Sequence, residues 1–202
     1  MKEFWNTRYD TDLFVYGTAP NSFLKSELNK LKPGKILLPG EGEGRNAVYA
    51  ASKGWSVEAF DQSRVASEKA LKYAAKESVE IEYKVSELEE YPFKTKHFDA
   101  VGLIYFHLST PGRILLHSQA CNALKPGGVL ILEAFHTSQL GNSTGGPPSL
   151  EMLFNEETLL SDFASLEMIE IYQTRVILDE GLFHQGEAEV IRFVGRKKLI
   201  NI

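Results

Sequence analysis

The chain has one cysteine, Cys121, among 202 residues, so no disulfide closes within it and a reducing cytoplasm is the expected setting. Long apolar runs are missing too. None approaches the ~20 residues of a membrane span, and Met1-Lys2-Glu3 opens no signal peptide. Basic charge is in short supply: 22 Lys and Arg face 27 Asp and Glu, a formal net charge of −5. That balance argues against nucleic acid as a bulk partner, because a phosphate-tracking surface needs a cationic excess. The five histidines show no ligand spacing, so no metal site is expected. Repeats, low-complexity tracts and linkers are absent as well. What remains is ordinary for a globular protein, with 43% hydrophobic and 24% charged residues. A single domain over 1–202 is expected, with an N-terminal segment (1–31) preceding an α/β core (35–202).

The core is organised around Ile36-Leu-Leu-Pro-Gly40-Glu-Gly42-Glu-Gly44-Arg45-Asn46-Ala47. A short apolar strand, a glycine-rich turn and the start of a helix follow one another there. Glycines at alternate positions let the chain turn sharply and bring bare backbone against a ligand. In α/β sheets this unit binds nucleotides at the carboxyl end of the strand. A dinucleotide fingerprint reads G-x-G-x-x-G, whereas this turn reads G-x-G-x-G and carries Glu41 and Glu43. Carboxylates there repel a pyrophosphate and suit an ammonium or sulfonium, which favours S-adenosylmethionine over NAD.

Ahead of the turn, Phe4-Trp5-Asn6-Thr7-Arg8-Tyr9 and Tyr16-Gly17-Thr18 lie outside the α/β alternation. They suit a lid whose aromatic faces meet an adenine or a sulfonium, and are not expected in the core. A helix is predicted over Ser22 to Leu31. After the turn, Trp55 to Asp61 reads as the second strand. Asp61 follows the glycines by about twenty residues, where a carboxylate accepts paired ribose hydroxyls; Gln62 is adjacent, and Ser63 is the better helix cap. A helix over Arg64 to Lys76 turns Val65, Ala66, Ala70, Leu71 and Ala74 inward. Strand three is expected over Val79 to Val85, with Ser86, Glu87 and Leu88 at its carboxyl end, level with Asp61. His97 to His107 supplies strand four and brings Tyr105 to the edge of the glycine turn. A helix over Arg113 to Leu124 stops at Lys125-Pro-Gly-Gly128, and strand five is Val129 to Phe135. Cys121 reads as a small core residue. Residues 136–149 form a long functional loop, and Asn155 caps a helix. Two antiparallel strands, about Met168 to Leu178 and Ala188 to Arg196, close the chain around Glu180-Gly-Leu-Phe-His184-Gln-Gly186.

Five βα units followed by an antiparallel hairpin resemble the class I S-adenosylmethionine-dependent methyltransferases, as does the Lys125 to Gly128 turn. Trp5-Asn6-x-Arg8-Tyr9, Pro20-Asn21-x-x-Leu24 and Gly42-Glu-Gly-Arg45-Asn46-Ala47 look like the small tellurite-resistance group within them, with thiopurine methyltransferases more distant. The resemblance implies a Rossmann-like, doubly wound, seven-stranded sheet, mostly parallel with a C-terminal antiparallel hairpin strand. It implies S-adenosyl-L-methionine as cofactor, with the glycine turn at its methionine end, Asp61 at the ribose and residues 86–88 at the adenine. Strand one ends in Leu38-Pro39 where the superfamily usually has an acid, and Glu41 is expected to take over part of that role. The expected cofactor contacts are Tyr16, Gly40, Glu41, Gly42, Arg45, Asp61, Gln62, Ser86, Glu87, Leu88 and Tyr105.

Methyl transfer is an in-line displacement from a sulfonium, so alignment of donor and nucleophile is the protein's main task. A base is needed only if the nucleophile arrives protonated. His107, His136 and His184, all from segments at the pocket edge, are the candidates. Arg8 and Arg113 are candidates to hold an anionic substrate. The Tyr105-Phe-His-Leu run lacks the Asn/Asp-Pro-Pro pattern of base amino-methylation. Cytosine C5 chemistry and arsenite methylation require cysteines that the chain does not have. A small polarisable acceptor remains, such as a thiol or a chalcogen oxyanion, used by a monomer or weak homodimer. A non-catalytic S-adenosylmethionine-binding sensor or partner subunit is the alternative. An NAD(P)-dependent oxidoreductase is disfavoured by the turn and the hairpin.

Overall fold

The computed structural model describes residues 2–199, which divide into two compact units: 2–92 with 180–184, and 93–179 with 185–199. The first unit opens with helix α1 (Lys2–Tyr9), where no core was expected. Tyr9 and Val15 are nevertheless buried, at 5% and 0% exposure, and pack with Ala66 against Trp5, Tyr16 and Val65. Their apolar area offsets the cost of ordering an otherwise polar segment. Helix α2 (Ser22–Leu28) starts where Asn21 Oδ1 accepts the Leu24 amide at 2.9 Å. It stops short of the expected Leu31, because the Lys30 and Leu31 amides tighten onto the carbonyls of Glu27 and Leu28.

Strand β1 (Lys35–Pro39) is buried after its first residue, as a central parallel strand requires. Helix α3 (Arg45–Ser52) follows the glycine turn, and β2 (Ser56–Asp61) pairs parallel to β1 with Leu38 opposite Ala59. Helix α4 (Arg64–Lys76) begins where Ser63 Oγ accepts the Ala66 amide at 3.2 Å. Its buried stripe is Ala66, Ser67, Ala70 and Ala74; Leu71, expected inward, is 45% exposed. Strand β3 (Glu82–Val85) is shorter than expected. Ser78 adopts a left-handed φ of 58°, and the Val79 amide is taken by the Ala74 carbonyl at the end of α4.

In the second unit β4 (Phe98–Ile104) leads to α5 (Thr110–Ala123), which starts three residues before the expected Arg113 because Ser109 and Pro111 form its entry. Strand β5 (Leu124–Phe135) takes in Lys125 to Gly128, expected as a turn; the register slips between Phe98 and Ala100 to admit them. Two 3-10 turns, Thr137–Gln139 and Leu150–Met152, flank a loop. Buried Gln139 ties that loop down by donating to Thr144 Oγ1 (2.9 Å) and Gly145 O (3.1 Å). Asn155 Oδ1 caps α6 (Glu156–Asp162) at Thr158 N. Strands β6 (Leu166–Asp179) and β7 (Gln185–Lys197) are antiparallel to each other, and β7 is antiparallel to β5.

The sheet order is β3-β2-β1-β4-β5-β7-β6, the mostly parallel, doubly wound arrangement with an antiparallel hairpin. Among the described residues, no helix is long and apolar enough to cross a membrane.

The approach of α3 to α4 depends on Gly44, whose φ is +87° and where an added Cβ would lie 2.7 Å from the Ala70 Cβ. Gly44→Ala combines left-handed strain of about 1–2 kcal/mol with overpacking of a similar size. The expected result is a melting midpoint lower by roughly 5–10 °C, at ~2–4 °C per kcal/mol, measured by differential scanning calorimetry.

Candidate functional site

In the first unit the turn between β1 and α3 is shaped by three left-handed glycines, Gly40 (φ 61°), Gly42 (62°) and Gly44 (87°). Tyr9 stands directly over Gly42, its hydroxyl 2.8 Å from where a Cβ would be. Tyr83, from β3, donates its hydroxyl proton to the Gly42 carbonyl at 2.6 Å. The Gly42 amide is given to Asp61 Oδ2 (3.1 Å), and Asp61 Oδ1 accepts the Ser63 amide (2.8 Å). Burial pushes the Asp61 carboxyl up to about 6, against the pull of these backbone donors.

Glu41 faces the start of α3. Its Oε1 accepts the amides of Asn46 (2.7 Å) and Ala47 (2.8 Å), and Oε2 accepts Asn46 Nδ2 (3.3 Å). The helix N-terminus is thus closed by the chain's own carboxylate. Burial raises the Glu41 carboxyl to about 7, with those hydrogen bonds opposing the rise. Glu43 serves the N-terminal segment: its Oε2 accepts the Val15 amide at 2.7 Å, and it ion-pairs with Lys69. Lys69 also donates to the carbonyls of Tyr9 (3.3 Å), Thr11 (2.9 Å) and Leu13 (2.6 Å). Both acids of the turn are therefore engaged by protein groups.

Residues 180–184 belong to this unit and lie on the same segment. The Leu182 amide donates to Val15 O at 2.9 Å, and a Cβ on Gly181 would come within 2.4 Å of that oxygen. Arg45 Nη2 meets Glu180 Oε2 at 3.0 Å, and the same oxygen accepts His184 Nδ1 at 3.2 Å. Despite burial, the His184 hydrogen bond and the Arg45 guanidinium hold Glu180 down to about 2. Burial lowers His184, outweighing Glu180. Its ring meets Tyr16 edge-on with centroids 4.6 Å apart. Glu180, Tyr9 and Tyr83 are not among the site residues expected from the sequence; the Glu-to-His spacing of four, with Gly181 and Gly186 close by, is the available signal for Glu180. Gln62 and Ser86 are half-buried, Glu87 exposed and Leu88 buried, and the Ser86 amide donates to Asp61 O at 3.0 Å.

Tyr105, His107 and His136 are in the second unit. Tyr105 sits just past β4 with a left-handed φ of 51°, held where its amide meets Glu133 O (2.8 Å) and its hydroxyl Glu133 Oε1 (2.9 Å). A bulky residue in that conformation is strained. Buried Glu133 also binds Arg192 Nε at 2.6 Å. His107 Nε2 accepts the Phe135 amide (3.2 Å), so its Nδ1 carries the proton donated to Met152 O (2.7 Å). Both ring nitrogens are thus committed to backbone. His136 Nδ1 is within 2.8 Å of Ser138 Oγ and accepts the Ser138 amide at 3.1 Å. Arg113 pairs with Asp162 at 2.8 Å, shared with buried His117.

Residues 36–128, from β1 through the start of β5, match the protein family described as a methyltransferase domain. The fold recurs in TehB from Haemophilus influenzae (16% identity, TM-score 0.73, covering 98% of this chain and 67% of that one). It recurs too in an S-adenosylmethionine-dependent methyltransferase from Methanosarcina mazei (20% identity, TM-score 0.69, covering 86% and 97%). Within residues 36–128 the chain therefore carries a methyltransferase domain. S-adenosylmethionine is the cofactor of this domain. A curated relative, Hemagglutinin 1 of Eikenella corrodens, is 26% identical over 184 residues, which is 88% of this chain. The chain spans 58% of the length of that relative.

The first unit fits the methyltransferase cofactor. Asp61 spends one lone pair on each oxygen and retains acceptor capacity for a pair of hydroxyls. The α3 N-terminus, occupied by Glu41, is closed to a pyrophosphate. Glu41 also yields a pH test. Its carboxyl binds a proton more tightly folded than unfolded, so between about pH 4.5 and pH 7 the native state loses stability as pH rises. Glu41→Gln removes that loss. Relative to the unsubstituted protein, the variant is expected to gain up to roughly 3 kcal/mol between pH 5 and pH 8, read by urea unfolding at both; a relative loss at pH 8 would contradict the assignment.

Proposed function

We propose that the protein transfers the methyl group of S-adenosylmethionine to a small polarisable acceptor, such as a thiolate or a chalcogen oxyanion. The observation that carries this reading is the glycine turn itself, which lies inside the methyltransferase-domain match and whose helix N-terminus is already occupied by Glu41. Bound there, the cofactor would supply a methyl on a sulfonium, a leaving group that would keep the carbon–sulfur electron pair while the acceptor's lone pair made the new bond. Gly40 to Gly44 and Glu41 form the wall at the methionine end, with Arg45 beside it. Asp61 and Gln62 take the ribose, and Ser86 to Leu88 the adenine. Tyr16 completes the contacts from this unit.

The histidines favour an acceptor that arrives already deprotonated. His107 has both nitrogens on backbone groups, and His136 turns onto the adjoining Ser138. His184, neutral and oriented by Glu180, is the one we assign to orienting the acceptor. We further propose that the protein works in the cytoplasm on a small molecule, as a monomer or weak homodimer.

S-adenosylhomocysteine at about a hundred times its dissociation constant adds ~2.7 kcal/mol to the native state. The expected rise in melting midpoint is roughly 5–10 °C, with no rise from NAD or NADP. A rise with a nicotinamide alone would sink the cofactor reading. Turnover is then tested with tellurite, selenite and a set of thiols, following S-adenosylhomocysteine release. Binding without turnover of any of them would favour a sensor or partner subunit. Asp61→Ala, which removes both hydroxyl acceptors, is expected to weaken S-adenosylhomocysteine at least tenfold by calorimetry.

A further inference from the structure

Arg8 differs from the other guanidiniums around it. Arg45 is paired with Glu180 at 3.0 Å and Arg64 with Glu68 at 3.3 Å, whereas Arg8 meets no carboxylate among the described residues. Its hydrogen bond there goes from Nη1 to the Tyr16 hydroxyl, a neutral acceptor, at 3.0 Å. A guanidinium has five N–H donors in a fixed fork, so most of the binding capacity of Arg8 is unspent. Aromatic rings frame it: the guanidinium carbon lies 4.2 Å from the Phe183 centroid, 4.7 Å from Phe4 and 5.6 Å from Trp5. Phe4 and Phe183 are themselves 54% and 44% exposed. They offer apolar faces beside a cation that is oriented by stacking and by one hydrogen bond.

Two carboxylates of this unit are already taken by other cations. Glu180 is matched by Arg45 and Glu43 by Lys69. Burial keeps His184 neutral, and burial likewise raises the Tyr16 phenol, against the pull of Arg8. Neither Glu180 nor Glu43 is paired with Arg8 among the described residues.

We propose that Arg8, walled by Phe4 and Phe183, is the acceptor's anion subsite, and that the acceptor is a small molecule bearing a carboxylate or similar oxyanion on an apolar body. This rests on the methyl-transfer reading above and specifies its substrate class. The methionine end of the cofactor suits the subsite less well. Its carboxylate travels with an ammonium, which the Arg8 guanidinium repels, and it has no apolar face to set against the two rings.

The test is calorimetric titration of benzoate and of its neutral isostere benzamide, into the protein alone and with S-adenosylhomocysteine. Benzoate is expected to bind at least tenfold more tightly than benzamide. Arg8→Gln is expected to abolish that preference while leaving S-adenosylhomocysteine affinity within twofold. Phe183→Ala, on an exposed ring, is expected to weaken benzoate severalfold, and it gives an independent reading if the arginine variant does not fold. Equal binding of the two probes, a preference that survives Arg8→Gln, or unchanged benzoate affinity in Phe183→Ala would overturn the proposal. So would an Arg8→Gln variant that loses S-adenosylhomocysteine but keeps 5′-methylthioadenosine, which lacks the amino-acid end; Arg8 would then serve the cofactor. If S-adenosylhomocysteine fails to bind while benzoate still does, the methyl-transfer reading falls and the anion subsite stands.

Discussion

The carboxylate of Glu41, buried against the first amides of α3, is the contact on which the rest of the first unit depends. Three left-handed glycines bend the chain back so that this side chain reaches the helix that follows it. With α3 anchored, Gly42 is placed where Asp61 receives its amide, and β1, β2 and the turn become one hydrogen-bonded frame. Asn46, held by Glu41, then uses its Oδ1 to accept the Asn21 amide at 2.9 Å and so fixes the entry to α2. Glu43 does the same for residues 15 and 16. Alternate glycines and alternate acids thus divide the work: the glycines set the path of the backbone, and the acids tie neighbouring segments to it.

This arrangement also determines which ligands the turn suits. A helix N-terminus with free amides attracts anions; here a carboxylate has taken that place. The electrostatic character of the turn is therefore inverted relative to a phosphate-binding one, in keeping with a cofactor that carries its charge as a sulfonium and an ammonium. Cationic side chains near the turn are mostly matched by acids, and the histidine beside it is kept neutral by burial. Binding and positioning are what such a site supplies best, and methyl transfer asks for little more.

Much of the frame was legible in the sequence because it rests on local signals. The apolar run before Gly40, the glycine spacing, the Arg64–Lys76 helix with its Ser63 cap and the Asn155 cap all announce themselves within a few residues. What escaped depends on distant partners. Tyr9 looks like part of an aromatic lid until Val15 and Ala66 are placed beside it. Leu71 fits an inward helical stripe, but the small residues Ala66, Ala70 and Ala74 already fill that face. Glu41 and Glu43 look in sequence like carboxylates suited to a cationic ligand, since nothing nearby reveals that Asn46, Val15 and Lys69 draw on their oxygens. The histidines illustrate the same limit: His107 is a plausible base until the Phe135 amide and the Met152 carbonyl occupy its ring.

The short segment 180–184 carries a consequence for how the molecule is made. Arg45 and Glu180 are separated by 135 residues, yet both belong to the unit built around the glycine turn. Chains emerge from the ribosome N-terminus first, at about 5–20 residues per second. Residues 2–92 are therefore exposed for several seconds before the piece that covers Tyr16 and pairs with Arg45 exists. During that interval the aromatic segment has one face without its partner. The unit closes only once residues 180–184 have been made, so a chain released before them would contain every glycine of the turn and still lack the ion pair at its side.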